Sequence, residues 1–327
     1  MTERLPVLLC GHGTRHADGA DEFRTVAAAV RARLPEYEVG HAFLELSEPL
    51  LPAALRRLAA AGHTRIVVIP CMLFAAGHAK SDIPRMIAGF EAGHPGVEVI
   101  YGRTFGVDPY LLEAASDRIL SALDERVPRA ESLLLVIGRG CSDFDANGNL
   151  VKVMRLLWES LGFGWGEAGF FDVTFPHMEV AIDHAARLGY RRIVVFPYLL
   201  FTGVLLRRLR ETLAEARRRH PGLEFVEAPY FNDHPGVIEV FADRVEEAAS
   251  GTLENDHDHG HNHHDHDHDH DHDHDHHDHD HDHDHDHGCG HDHRHEHHHH
   301  DDDHHHGPAH PFAGHPNGPL SPRRWGI

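Results

Sequence analysis

Between Leu5 and Cys10 the chain runs apolar without a break and stops at a glycine, which predicts a short strand buried on both faces of a parallel sheet. From Asp21 to Leu34 the apolar positions recur every three or four residues instead, predicting a helix that ends before Pro35. Glu38 to Glu45 reads as a second strand and Pro49 to Ala61 as a second helix, closed by Gly62 at its C-terminal cap. The run Ile66-Val-Val-Ile69 makes Arg65 to Pro70 the clearest strand of all. A helix over Ile83 to Glu91, a strand over Val97 to Tyr101 and a helix over Pro109 to Leu123 complete the series. Such alternation predicts a parallel sheet with helices on both faces.

The series then repeats. An offset of 127 residues sets Val7-Leu-Leu-Cys-Gly-His-Gly13 on Leu134-Leu-Val-Ile-Gly-Arg-Gly140 and Phe43-Leu-Glu-Leu-Ser-Glu-Pro49 on Phe170-Phe-Asp-Val-Thr-Phe-Pro176. The same offset sets Gly62 to Pro70 on Gly189 to Pro197. At an offset of 126, His94-Pro-Gly96 meets His220-Pro-Gly222 and Asp108-Pro109 meets His234-Pro235. A nearly constant offset over five segments marks an internal duplication. The expected fold class is α/β, with two tandem copies over about 1–125 and 126–250, each a four-stranded parallel sheet with helices on both faces.

Composition changes abruptly after residue 250. Residues 251–327 hold 29 of the 39 histidines, with 19 acidic and 3 basic side chains, a formal −16 that leaves −6 for the rest of a chain whose total is −22. Alternating His-Asp, as in the stretch from His264, cannot bury apolar surface, so a disordered tail is expected in the absence of metal. Imidazole and carboxylate together suit divalent nickel, cobalt, copper or zinc, whereas a purely solvating tail has no need of histidine. A store that feeds an active site and a buffer against excess metal both remain open for it. The acidic balance argues against nucleic acid as a partner, since phosphate binding needs a basic face. No apolar run approaches the length of a membrane-spanning helix, and the N-terminal Met1-Thr-Glu-Arg-Leu-Pro lacks the pattern of a secretory signal, so a reduced cytoplasmic setting is expected. Cys10, Cys71, Cys141 and Cys289 are widely spaced without a C-x-x-C, which argues against a disulfide framework, a zinc ribbon or an iron–sulfur cluster.

In parallel α/β folds ligands sit beyond the carboxyl ends of the strands. Gly11-His12-Gly13-Thr14-Arg15 follows the first strand, Glu45 closes the second, and an apolar loop leading to Gly77-His78-Ala-Lys80 follows the third. His12, Glu45 and His78 can therefore converge on one crevice. Two imidazoles and a carboxylate suit a divalent ion such as Co²⁺, Fe²⁺, Ni²⁺ or Zn²⁺. The duplication supplies an internal control: at the offset of 127, His12 becomes Arg139, Glu45 becomes Asp172 and His78 becomes Leu205. Histidines that served only the fold would be needed equally in both copies. Their joint loss points to one working metal site, in the first copy, with the second copy as the other wall of the cleft. Arg139 and the cluster Arg207, Arg208 and Arg210 would line that wall, where guanidinium groups suit carboxylates.

Leu8-Leu-Cys-Gly-His-Gly-Thr-Arg15, Phe43-Leu-Glu45 and Phe74-Ala-Ala-Gly-His-Ala-Lys-Ser-Asp-Ile-Pro84 resemble the sirohydrochlorin cobaltochelatase family, the class II chelatases, in its long two-domain form with a histidine-rich extension. The resemblance spans residues 5–250. It implies a chelatase-like fold and ATP-independent insertion of Co²⁺ into the tetrapyrrole sirohydrochlorin on the route to cobalamin, or of Fe²⁺ to give sirohaem. It implies that His12 and His78 handle the metal with Glu45 beside them, and that Arg15, Lys80, Arg139 and Arg207 face the carboxylates of the macrocycle. Some long members carry a cysteine-rich iron–sulfur motif near the C-terminus; only Cys289 stands there, so no cluster is expected. A metal-storage protein or metallochaperone is the competing class, and the one-sided loss of the two histidines favours the enzyme. The internal duplication can take the place of a homodimer, which allows a monomer.

Overall fold

A computed structural model describes residues 4–251, so the histidine-rich tail lies outside the described residues. The first half contains β1 (Pro6–Gly11), α1 (Ala17–Arg33), β2 (Glu38–Phe43), α2 (Leu51–Ala60), β3 (Arg65–Pro70), α3 (Ile83–Gly93), β4 (Glu98–Tyr101) and α4 (Pro109–Ser121). The second repeats the order with β5 (Ser132–Gly138), α5 (Phe144–Leu161), β6 (Trp165–Phe170), α6 (Met178–Arg187), β7 (Arg192–Pro197), α7 (Val204–Arg219), β8 (Glu224–Glu227) and α8 (Pro235–Ser250). Both sheets are parallel and four-stranded, ordered β2-β1-β3-β4 and β6-β5-β7-β8. This is the α/β arrangement that the alternating pattern predicts.

The uninterrupted apolar strands are the central ones. Every residue of β1, β5 and β7 is buried, because helices cover both faces. The edge strands β2 and β6 instead mix buried and exposed positions. On α1 the buried residues Gly19, Ala20, Phe23, Val26, Ala27 and Val30 recur at the three-and-four spacing that faces a helix onto a sheet. That helix starts at Ala17, one turn before the expected start, because Gly19 and Ala20 already pack inward while Ala17 and Asp18 face solvent.

One helix crosses between the copies. α8 packs on α1 and α4 and lies over β3 and β4 of the first sheet. Its Val237, Val240, Phe241 and Val245 are fully buried, each worth roughly 1.5–3 kcal/mol of apolar transfer. Amid them sits a buried ion pair: Arg244 Nη2 donates to Asp108 Oδ2 at 2.7 Å and to the Phe105 carbonyl at 2.9 Å, and Nε donates to the Thr104 carbonyl at 3.2 Å. A second tie runs from α1, where Glu22 accepts from the Thr202 N–H and from the Tyr230 hydroxyl, each at 2.7 Å. These contacts hold the carboxyl ends of both sheets around one cleft.

Candidate active site

His12 is held by backbone packing. The chain after β1 turns back on the segment after β2, with Leu44 N–H donating to the Gly11 carbonyl and Glu45 N–H to the His12 carbonyl. Gly13 makes that approach possible: its φ is +93°, and a Cβ there would lie 1.7 Å from the Glu45 carbonyl oxygen. Gly140 repeats the device against Asp172 in the second copy. Strand β2 stops at Phe43, so Glu45 stands in the loop beyond the strand rather than at its end, with its carboxylate 3.7 Å from His12 Nε2.

His78 arrives from the other side of β1. It opens a π-helical turn, His78–Asp82, in which the Ile83 N–H reaches back five residues to the His78 carbonyl. Gly77 precedes this turn and Gly203 precedes α7, and both helical segments end at a His-Pro-Gly. By position in the helix, the counterpart of His78 is therefore Val204 rather than Leu205. The single-residue difference between the copies falls in the loop before the helix, and the counterpart is apolar in either register.

The two imidazoles meet edge to face, with ring centroids 4.7 Å apart and Nε2 to Nε2 3.1 Å. Their outer nitrogens are already engaged. His12 Nδ1 lies 3.1 Å from the Gly13 carbonyl and His78 Nδ1 2.7 Å from Asp82 Oδ2. A carbonyl and a carboxylate only accept, so each contact places the ring proton on Nδ1 and leaves the lone pair on Nε2. The two lone pairs thus face the same point. At the ~2.1 Å typical of an imidazole–zinc bond, two nitrogens subtending a right angle lie ~3 Å apart, which is the spacing seen. Burial, followed by the charges of Arg139 and His78, pushes the His12 pKa down against the opposing pull of the Gly13 carbonyl and Glu45, which keeps that ring neutral near pH 7. Among the described residues no three His, Cys, Asp or Glu side chains converge to hold an ion, so the described chain offers two nitrogens. Cys10 and Cys71 are buried, and burial holds the Cys10 thiol up at about 12, well away from a thiolate ligand.

The pair opens into a cavity of about 860 Å³ between the halves, within the ~300–1,000 Å³ range of small-molecule sites. Phe43, Leu73 and Phe74 line it from the first half, and Tyr198, Leu200 and Phe201 from the second. Phe74 stacks on Tyr198 across the cleft at 5.6 Å. Arg139, the counterpart of His12, is exposed at this lining and is its one Arg or Lys among the described residues. The other expected cations are placed differently. Lys80 Nζ lies 2.8 Å from Asp143 Oδ2 and spans the two halves. Arg208 is paired with Asp172 and Glu179, and Arg210 with Glu227. Arg15 and Arg207 are exposed and lie outside the lining. Asp82 was not singled out from sequence; its signal is its place four residues after His78, on the same side of a helical turn.

The sequence profile described as CbiX matches twice, over residues 6–122 and 133–248. The chain belongs to the CbiX family. It is 37% identical to a sirohydrochlorin cobaltochelatase of Priestia megaterium over 250 residues, covering 76% of this chain and 81% of that one. It is 32% identical to a sirohydrochlorin ferrochelatase of the same organism, covering 75% and 90%. Among solved structures, SirB from Bacillus subtilis with Fe³⁺ superposes with a TM-score of 0.68 at 27% identity, covering 77% of this chain and 99% of that one. The chain is thus a CbiX-type member of the sirohydrochlorin chelatases, whose relatives handle both cobalt and iron. No described helix is long and apolar enough to cross a membrane.

Proposed function

We propose that the protein inserts Co²⁺ into sirohydrochlorin without ATP, as a step towards cobalamin, with His12 and His78 as the metal-handling pair. The observation that carries this reading is the pair of Nε2 lone pairs facing one point 3.1 Å apart at the base of a largely apolar cavity. Insertion replaces two pyrrole N–H protons by one divalent ion. When the ion passes from the imidazoles to the ring nitrogens, the two vacated Nε2 lone pairs are the bases nearest the departing protons. Glu45, 3.7 Å from His12 Nε2, offsets the positive charge that builds there. Arg139 takes one carboxylate of the macrocycle at the cleft wall, and the remaining carboxylates project towards solvent. Cobalt is supported by the higher identity to the cobalt relative, 37% against 32%. Insertion of Fe²⁺ for sirohaem is the second reading, favoured by the ferrochelatase relative. The histidine-rich tail binds divalent ions, either as a store that feeds this site or as a buffer against excess metal.

The test is metallation of sirohydrochlorin by the purified chain with Co²⁺, Fe²⁺ or Ni²⁺, followed by the absorption change of the macrocycle. His12→Ala and His78→Ala should each abolish the acceleration while the circular dichroism stays unchanged. Wild-type rates in both variants would remove these histidines from the reaction. No acceleration by the native chain with any of the ions would remove the chelatase reading itself.

A further inference from the structure

Asp82 stands where a helix cap is expected, directly before Ile83-Pro84 at the start of α3, yet its carboxylate makes no capping bond to that helix. Its Oδ2 is instead 2.7 Å from His78 Nδ1, and Oδ1 is 3.4 Å from an Arg85 Nη1. The π-helical turn sets this geometry, with His78 and Asp82 at its two ends. Both side chains line the cavity and are partly exposed, His78 at 40% and Asp82 at 38%, so the contact lies within the cleft wall.

We propose that Asp82 is a positioning residue that fixes the tautomer of His78 and thereby aims its Nε2 lone pair at the incoming ion; the proposal deepens the metal-handling role given to His78 above. An imidazole proton rests on either ring nitrogen, and in the wrong tautomer Nε2 carries a proton and cannot bind metal. His12 has its orientation set by a backbone carbonyl, which no substitution of a side chain removes. For His78 the same duty falls on a side chain, which a substitution removes without touching either imidazole. Carboxylate partners of this kind typically change metal affinity by 10–100-fold when removed.

The experiment uses the full chain. With ¹⁵N-labelled histidine at pH 8, and His78 assigned by comparison with His78→Ala, the metal-free protein should show His78 Nδ1 protonated and Nε2 bare. Asp82→Asn, which can also donate to Nδ1, should move the proton towards Nε2. It should raise the KM for free Co²⁺, held by a chelator buffer so that the tail does not deplete it, by roughly 10–100-fold with a smaller change in kcat. Asp82→Glu should recover part of the loss. If Asp82→Asn fails to fold, the wild-type tautomer and Asp82→Glu still decide the matter. A wild-type His78 protonated on Nε2, or a folded Asp82→Asn with unchanged tautomer and a Co²⁺ KM within twofold, would overturn the proposal. A wild type that shows the expected tautomer but inserts no metal would instead count against the proposed function and leave the placement of Asp82 standing.

Discussion

Replacing Arg244 by Met keeps a long apolar stem in place and withdraws the guanidinium from its buried setting. The side chains of Arg244 and Asp108 are 5% and 6% exposed, so water does not take over the lost contacts. Asp108 keeps one partner, the Tyr110 N–H at 2.9 Å, while the carbonyls of Phe105 and Thr104 lose their donors. Removing one member of a buried ion pair typically costs about 3–5 kcal/mol, a large share of the ~5–15 kcal/mol that holds a typical protein folded. For a body of this size that corresponds to a fall in Tm of roughly 6–20 °C. Urea denaturation followed by circular dichroism gives the difference directly. The double variant Asp108→Asn with Arg244→Met should be more stable than Arg244→Met alone, because it no longer buries an uncompensated charge while the asparagine oxygen still accepts from Tyr110. A loss below about 1 kcal/mol for Arg244→Met, or a double variant less stable than the single one, would refute this account of the pair.

Gly13→Ala should disable metal insertion more than it destabilises the fold, because its Cβ would collide with the Glu45 carbonyl and push apart the two loops that carry His12 and Glu45; insertion rate and Tm measured together check this. Arg139→Ala should raise the KM for the macrocycle by about tenfold, the loss expected of one partly exposed charge-assisted contact of ~1.4 kcal/mol, and leave the KM for free Co²⁺ within twofold. The hydrogen bonds of Arg126 and then Arg192 hold the Asp124 carboxyl down at about 2, against an ordinary value of 3.8. A depressed carboxylate stabilises the folded state fully above its unfolded pKa, so this contribution should be present above about pH 4 and fade as the pH falls towards 2. Acid denaturation of Asp124→Asn should lack that part of the slope.

Strands and their order follow from the chain because apolar runs and helical periodicity are local properties, and the duplication doubles each signal. Arg65–Pro70 is bounded as the run Ile66-Val-Val-Ile69 implies, and α3 begins at Ile83 as its pattern does. The convergence of His12 and His78 was legible for the same reason: residues that follow adjacent parallel strands emerge side by side. Side-chain pairing was not. Lys80 carries a charge that sequence assigns to substrate, and only the fold shows Asp143 of the other copy 2.8 Å away. Asp82 carries no signal of its own in the sequence, and only the π-helical turn shows it turned towards His78. Nor does periodicity reveal that α8 covers the sheet of the first copy, since either sheet would accept its apolar face.

That covering helix has a consequence for how the molecule comes into being. Arg244 and Asp108 are separated by 136 residues, and the first sheet is not fully covered until α8 has been made. At the usual ~5–20 residues per second of synthesis, the first copy waits roughly 7–27 s with part of one face bare. Its histidines are among the earliest residues to leave the ribosome, yet the sheet that carries them is covered by the last helix before the tail. The 29 histidines of residues 251–327 are synthesised only after that helix. On the function proposed above, the order of the chain completes the His12–His78 site before the histidine-rich segment is made.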